Sequence, residues 1–234
     1  MAIHVLSASY TCFPFAISNI MVNRMWKRAI IKLGGSLIEE SRGIIRVLSD
    51  YAETIHLHIL IIPGGGPFAE VVRKYSDALS DDAAHWMAVL AIDQYGLFLA
   101  NSALPVVESM EEIDGAEPLC VILLPYKILK ADDCLPHTWG VTSDTVASFI
   151  ANKLCEKTFI KLTDVDGLLD EQGHLIREMS AEEMVETGNT GCVDAALPEF
   201  LIRHKMSCII INGRFPKRII DVIEGTETIS TKLY

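Results

Sequence analysis

Positive charge is in short supply: 20 lysines and arginines stand against 31 aspartates and glutamates, a formal net charge of −11 over 234 residues. That balance argues against a nucleic-acid partner, which calls for a basic surface, but leaves room for a single nucleotide held by a few local lysines. No apolar run approaches the ~18 uninterrupted residues of a membrane span, so no membrane partner is expected. The six cysteines (Cys12, Cys120, Cys134, Cys155, Cys192 and Cys208) form no CxxC pair and no Cys/His ligand spacing. Scattered in this way they exclude a sulfur-rich metal cage and read as reduced, mostly buried thiols of a cytoplasmic protein. Repeats, low-complexity tracts and linkers are missing as well. With half the residues hydrophobic and 22% charged, the chain is globular and long enough for a large core.

Residues 1–27 stand apart. They are apolar with polar breaks and carry no Lys or Arg before Arg24, whereas a secretory signal wants a basic start and a continuous apolar centre. Met21 and Met25 precede the first strand, so this stretch reads as an over-long start or a loosely attached arm, and residues 28–234 as one domain.

What is present is a repeated design. Ala29 to Leu33 is apolar but for Lys32, and Gly34-Gly35-Ser36 stops it abruptly. His58 to Ile62 runs in the same way into Pro63-Gly64-Gly65-Gly66, with a helix opening at Pro67. A strand ending in a glycine turn lets backbone amides approach an anion, and two such turns can hold a phosphate between them. Lys32 adds an ammonium that suits the charge of a transferring phosphoryl group.

Downstream, a helix is expected over 37–50, and Ser80 should cap a long helix reaching Ala100 that is apolar almost all round, hence buried or at a subunit contact. Asp82, His85 and Asp93 fall on one of its faces, either as ordinary solvated groups or as a pocket wall in which His85 touches an acceptor. Leu119–Leu124 reads as a strand, followed by a polar loop over 125–133 whose Lys127 and Lys130 either steer an anion or merely face solvent. Gly140 to Ser143 caps a helix with Asp144 in its first turn, as a partner of the helix dipole or as the group that orients Lys32. Thr158–Thr163, carrying Lys161, is a strand running into Asp164-Val165-Asp166-Gly167. Those aspartates form a turn, hold ribose hydroxyls, or hold Mg2+ through waters. A loop with Thr187, Gly188, Asn189 and Gly191 precedes a helix over 194–204, and Cys208–Ile211 is a strand into Asn212-Gly213-Arg214-Phe215-Pro216. Strands alternate with helices throughout, the pattern of a mostly parallel sheet covered on both faces, and each motif lies at a strand's carboxyl end, where such sheets bind ligands.

Lys32-Leu33-Gly34-Gly35-Ser36, Pro63-Gly64-Gly65-Gly66, Ser143-Asp144-Thr145-Val146-Ala147 and Leu162-Thr163-Asp164-Val165-Asp166-Gly167 occur in the order seen in the amino acid kinase family, which the chain resembles from about Arg28 to its end. The resemblance implies an α/β fold, a three-layer αβα sandwich, with 28–140 binding the phosphoryl acceptor and 141–234 binding ATP with Mg2+. It implies Lys32 and Asp144 as catalytic and the amides of Gly34, Gly35, Ser36, Gly64, Gly65 and Gly66 as phosphate donors. Lys161, Thr163, Asp164, Asp166, Gly167, Asn212, Gly213 and Arg214 would lie toward ATP, and His85, Lys127 and Asp133 toward the acceptor. No residue is assigned as a direct metal ligand, and a homo-oligomer, dimer or higher, is expected. Residues 79–88, 125–139 and 212–216 resemble the branch of the family found in methanofuran biosynthesis. That implies 5-(aminomethyl)furan-3-yl methyl phosphate as acceptor and its diphosphate as product. Other branches imply UMP, isopentenyl phosphate or an amino acid, and a non-catalytic oxyanion-binding protein on the same fold is the rival of another class. The chain departs from the family at Gly191-Cys192-Val193-Asp194-Ala195, where several relatives carry a second catalytic lysine; either Lys161, Arg214 or Lys205 would then substitute, or the chemistry would lean more on magnesium. Pro63 also replaces the histidine typical of isopentenyl phosphate kinases.

Overall fold

The computed structural model describes residues 26–101, 104–116 and 119–234; most of the expected N-terminal extension lies outside them. Trp26, placed by the sequence in that extension, is instead buried in the same core cluster as Ala29 and Leu57, because its ring has apolar partners there.

In chain order the elements are β1 (Arg28–Leu33), α1 (Ser41–Ile55), β2 (His58–Pro63), α2 (Gly66–Lys74), α3 (Asp81–Ala100), β3 (Val106–Val107), α4 (Met110–Asp114), β4 (Cys120–Leu123) and α5 (Tyr126–Asp132). There follow α6 (Ser143–Lys153), β5 (Thr158–Thr163), β6 (Leu168–Leu169), β7 (Leu175–Ile176), β8 (Glu178–Met179), α7 (Ala181–Thr187), α8 (Leu197–His204), β9 (Ser207–Asn212), α9 (Pro216–Ile223) and β10 (Thr231–Leu233). Among the described residues, eight strands form one sheet in the order β3-β4-β2-β1-β5-β9-β10-β8, with β6–β7 a separate hairpin. Every pairing in the large sheet is parallel except β9 with β10.

The sheet is buried on both sides, which is why β1, β2 and β5 read as near-continuous apolar runs. One face packs Ile30, Leu60, Phe159 and Ile210 with α6 and α8; the other packs Ala29, Ile31, Ile61 and Ile211 with α1 and α9. Helices on both faces make three layers, as the sequence indicated. The strand order reverses at β1, with β2 on one side and β5 on the other, and ligands bind beyond the carboxyl ends of such a switch point.

Several boundaries differ from expectation. The helix expected from residue 37 starts at Ser41, because Gly35–Leu37 winds as a tighter 3-10 turn and buries Leu37. The expected polar loop 125–133 is largely α5: Pro125 opens it, the Asp93 carboxylate accepts from the Tyr126 amide at 3.2 Å, and Ile128 and Leu129 are buried. The helix expected from Asp194 begins at Leu197, since Asp194 is occupied in capping other backbone.

Candidate active site

Two strand lysines set the floor of the site. Lys32 on β1 and Lys161 on β5 are direct partners in the parallel register, so their side chains leave the same face of the sheet side by side. The helix covering that face, α6, carries Asp144 in its first turn. Its carboxylate lies 2.8 Å from Lys32 Nζ and accepts from Lys161 Nζ at 2.6 and 2.7 Å; it also accepts the Asp194 amide at 3.1 Å. Lys32, Asp144 and Lys161 are only 6%, 3% and 4% exposed.

Burial pushes the Lys32 ammonium below its ordinary value, against the pull of Asp144. Burial opposes Lys161 too, yet the Asp144 carboxylate leaves it above its ordinary value. Burial alone would raise Asp144, but the two lysines hold it well below the usual carboxylate range. Two cations share one anion, so the cluster keeps an uncompensated positive charge where desolvation makes that costly. A phosphate oxygen arriving here completes it.

The two glycine turns meet directly above this floor. The Gly34 amide donates to Leu162 O at 2.9 Å and the Gly64 amide to Leu33 O at 2.8 Å. These two amides, expected to face a phosphate, therefore pin the turns to neighbouring strands. Gly35, Ser36, Gly65 and Gly66 stand at the starts of a 3-10 turn and of α2, where amides lack partners within the helix. The approach admits no side chain: a Cβ on Gly35 would stand 2.2 Å from Gly66 Cα, and Gly66 itself has φ +51°.

Beside the buried cluster a cleft of about 150 Å3 lies between α2, α3, the start of α6 and the 137–142 loop; Ser143, the neighbour of Asp144, lines it, whereas Lys32, Asp144 and Lys161 themselves do not. Gly65, Gly66, Thr142 and Ser143 line its inner end, Ala69, Ala88 and Val89 its middle, and Glu70, Arg73, Asp81 and Trp139 its mouth. His85 is in the wall, only 8% exposed, and burial pushes its imidazole down to about 4. It stacks on His137 at 4.1 Å. His137 is held by Asp82 through Nδ1 at 2.6 Å and by Asp133 through Nε2 at 2.9 Å, and those bonds raise it.

Of the acceptor-side residues expected from sequence, His85 lines the cleft and Asp133 reaches it through His137. Lys127 does not: it pairs with Glu108 at the surface, because α5 turns Ile128 and Leu129 inward and Lys127 out.

Among the residues expected from sequence to lie toward a nucleotide, the Asp166 carboxylate accepts from Asn212 Nδ2 at 3.0 Å and from Arg218 at 2.6 Å. Arg214 pairs with Glu40 at 2.8 Å, and the Gly213 amide donates to Thr163 O at 2.9 Å. Asp164 receives a single side-chain bond, from Thr163 at 3.3 Å. These residues share the carboxyl ends of β5 and β9. Gly167, with φ +151°, leads from there into β6. Lys205 is remote, at the far end of α8, and Arg214 is engaged by Glu40, so Lys161 is the cation that joins Lys32 at Asp144.

Sequence reasoning passed over Asp194, Arg73, Trp139, His137 and Arg218. Asp194 accepts from the Thr142 and Thr145 amides and hydroxyls at 2.6 to 2.9 Å, fixing the start of α6 and thereby Asp144. A carboxylate capping a helix some fifty positions away leaves no local signature. Arg73 lies 5.1 Å over the Trp139 ring, a pairing equally invisible in the linear chain.

The amino acid kinase family profile matches residues 92–212. The chain is 36% identical to the [5-(aminomethyl)furan-3-yl]methyl phosphate kinase of Methanocaldococcus jannaschii over 87% of this chain and 96% of that one. It is 22% identical to a uridylate kinase of Methanocella arvoryzae over 85% and 96%. Among solved structures, the uridylate kinase of Archaeoglobus fulgidus superposes with a TM-score of 0.67 at 17% identity, covering 88% of this chain and all of that one.

Proposed function

Since the chain belongs to the amino acid kinase family, we propose that it transfers the γ-phosphoryl group of ATP to a small phosphorylated acceptor. The acceptor we assign is [5-(aminomethyl)furan-3-yl]methyl phosphate, giving its diphosphate in methanofuran biosynthesis, a branch of one-carbon metabolism. The observation that carries the reading is the buried Lys32–Asp144–Lys161 cluster next to two touching glycine turns, with a cleft alongside it that Gly65, Gly66 and Ser143 line. The identity to the M. jannaschii enzyme over nearly all of both chains supports the choice of acceptor.

In this reading an acceptor phosphate oxygen, already ionised at neutral pH, attacks the γ-phosphorus; the bond to the bridging oxygen breaks and ADP leaves with that electron pair. No general base is needed, so the protein aligns two phosphates and neutralises them. Lys32 and Lys161 meet the transferring group, Asp144 keeps both in place, and the open amides of Gly35, Ser36, Gly65 and Gly66 bind phosphate oxygens. Asp164, Asp166, Asn212 and Arg214 face the nucleotide. Among the described residues no group of three or more carboxylate, histidine or cysteine side chains could cage a metal. That donor set fits a Mg2+ held mainly by the triphosphate and waters, with Asp164 as the nearby carboxylate; the ion would supply charge neutralisation. The outward face of α3, with Met87, Leu90, Leu97 and Phe98 exposed, is the surface we assign to a homo-oligomer.

ATP turnover against a panel of phosphorylated acceptors, with products identified by phosphorus NMR, tests this. A new diphosphate signal with the aminomethylfuran phosphate, absent with UMP and isopentenyl phosphate, is the expected result. ATP binding without turnover on any acceptor overturns it in favour of a non-catalytic oxyanion-binding protein.

A further inference from the structure

The cleft is electrically bipolar. At its inner end the N-termini of α2 and α6 open onto it, and the lining residue Ser143 adjoins Asp144 of the buried, cation-rich Lys32–Asp144–Lys161 cluster. At its mouth two exposed carboxylates, Glu70 and Asp81, stand with one guanidinium, Arg73, and one imidazole, His137, whose own partners Asp82 and Asp133 lie outside the lining. Arg73 is turned over Trp139 and tied to one oxygen of Glu70, which leaves the other oxygen free of hydrogen bonds among the described residues. Asp81 has no side-chain hydrogen bond or ion pair there. His85 points to a ligand independently: 92% buried, in the cleft wall between floor and mouth, its ring nitrogens have no hydrogen-bond partner among the described residues although its faces are stacked. Those nitrogens are not among the sealed unpartnered polar atoms, so they stay accessible to a hydrogen-bonding ligand group.

We propose that Glu70 and Asp81, with His85 behind them, are the specificity-determining residues that read a primary ammonium at the end of the acceptor opposite its phosphate. The inference rests on the acceptor occupying this cleft, as proposed above, and adds which residues select it. The dimensions agree. Gly66 and Arg73 are seven helical residues apart, about 10 Å along α2 at the α-helical rise, a span suited to a phosphate, one flat ring and an aminomethyl arm. Ala69, Ala88 and Val89 give the ring an apolar middle. A neutral prenyl phosphate would leave Asp81 and the second Glu70 oxygen without a donor, and His85 without a hydrogen bond. Sites built to pair with a polar substrate group discriminate strongly against analogues that lack it.

The test compares [5-(aminomethyl)furan-3-yl]methyl phosphate with its isostere bearing ethyl in place of aminomethyl, using the full chain and ATP. Wild type should prefer the amine by about 100-fold or more in kcat/KM. Glu70→Gln, Asp81→Asn and His85→Gln should each shrink that preference by about 10-fold, through KM for the amine rather than kcat. Thermal unfolding alongside shows whether each variant is folded; for one that is not, the conservative Glu70→Asp or Asp81→Glu replaces it, with partial return of the preference expected. Equal use of both compounds by wild type, or variants that slow both compounds alike, overturns the inference while leaving the kinase reading intact. Turnover of neither compound removes the acceptor assignment and the inference together.

Discussion

The floor of the site and the mouth of the adjoining cleft are both made of ionisable groups, yet they are built on opposite terms. At the floor, two lysines on adjacent strands and one helix-borne carboxylate are locked by sheet register, almost wholly out of water, and short of one negative charge. At the mouth, His137 sits on an irregular loop and is held by carboxylates at the start of α3 and the end of α5, themselves largely exposed. The first arrangement suits a group whose task is to be in one place with one charge. The second suits recognition, since its members ride on element ends that can adjust and its pairs are screened by solvent. In the proposed reading, chemistry belongs to the rigid end and selection to the adaptable one.

The contrast breaks most visibly at Lys32. Lys32→Met should lower kcat by about 1,000-fold or more, because it removes a preorganised charge from the transferring group. The Asp144–Lys161 pair survives, so the fold should persist. Steady-state kinetics with circular dichroism checks both, and near-normal turnover would place the chemistry elsewhere.

Asp144→Asn should instead strike stability, by about 3–5 kcal/mol in urea unfolding at pH 7, because two buried ammoniums lose their counter-charge. Asp144 titrates below its unfolded value, so its contribution is present above about pH 4 and is lost as pH falls. The gap between wild type and variant should therefore narrow in acid. Gly35→Ala tests the convergence of the turns: a methyl group 2.2 Å from Gly66 Cα must push them apart, and a misplaced phosphate should cost about 100-fold in kcat.

Effects at the mouth should be smaller and graded by pH. His137 titrates above its unfolded value, so the stability it gains from Asp82 and Asp133 is full below about pH 6.5 and is lost as pH rises through the raised value. Thermal unfolding of wild type and His137→Asn should differ more at pH 6 than at pH 9; a constant difference would show that the clamp is not ionic. Trp139→Ala, which removes the ring beneath Arg73, should cost about 0.5–1 kcal/mol of stability and raise the acceptor KM several-fold.

The same division explains what could be read from the chain alone. Lys32 and Lys161 interrupt apolar runs, and Gly34 to Ser36 and Gly64 to Gly66 stop them, so strands, turns and floor were legible from local pattern. Asp144 was visible as a first-turn carboxylate, though not as the partner of both lysines, which depends on β1 lying beside β5. The mouth was legible only in part. His85 showed by helical spacing, but the stacking of His137 on it left no local sign, and Lys127 stayed open between steering an anion and facing solvent, because the helical nature of residues 126–132 is set by Ile128 and Leu129 finding the core. The strands β3, β6, β7, β8 and β10 were missed for a simpler reason: at two or three residues each they carry no periodicity to detect.

The grip of Asp194 on both threonines at the head of α6, while its own amide holds Asp144, has a mechanical corollary. The segment that bears it reaches the start of α8, so that segment and the Asp144 carboxylate are geared together: whatever tugs the one must turn the other.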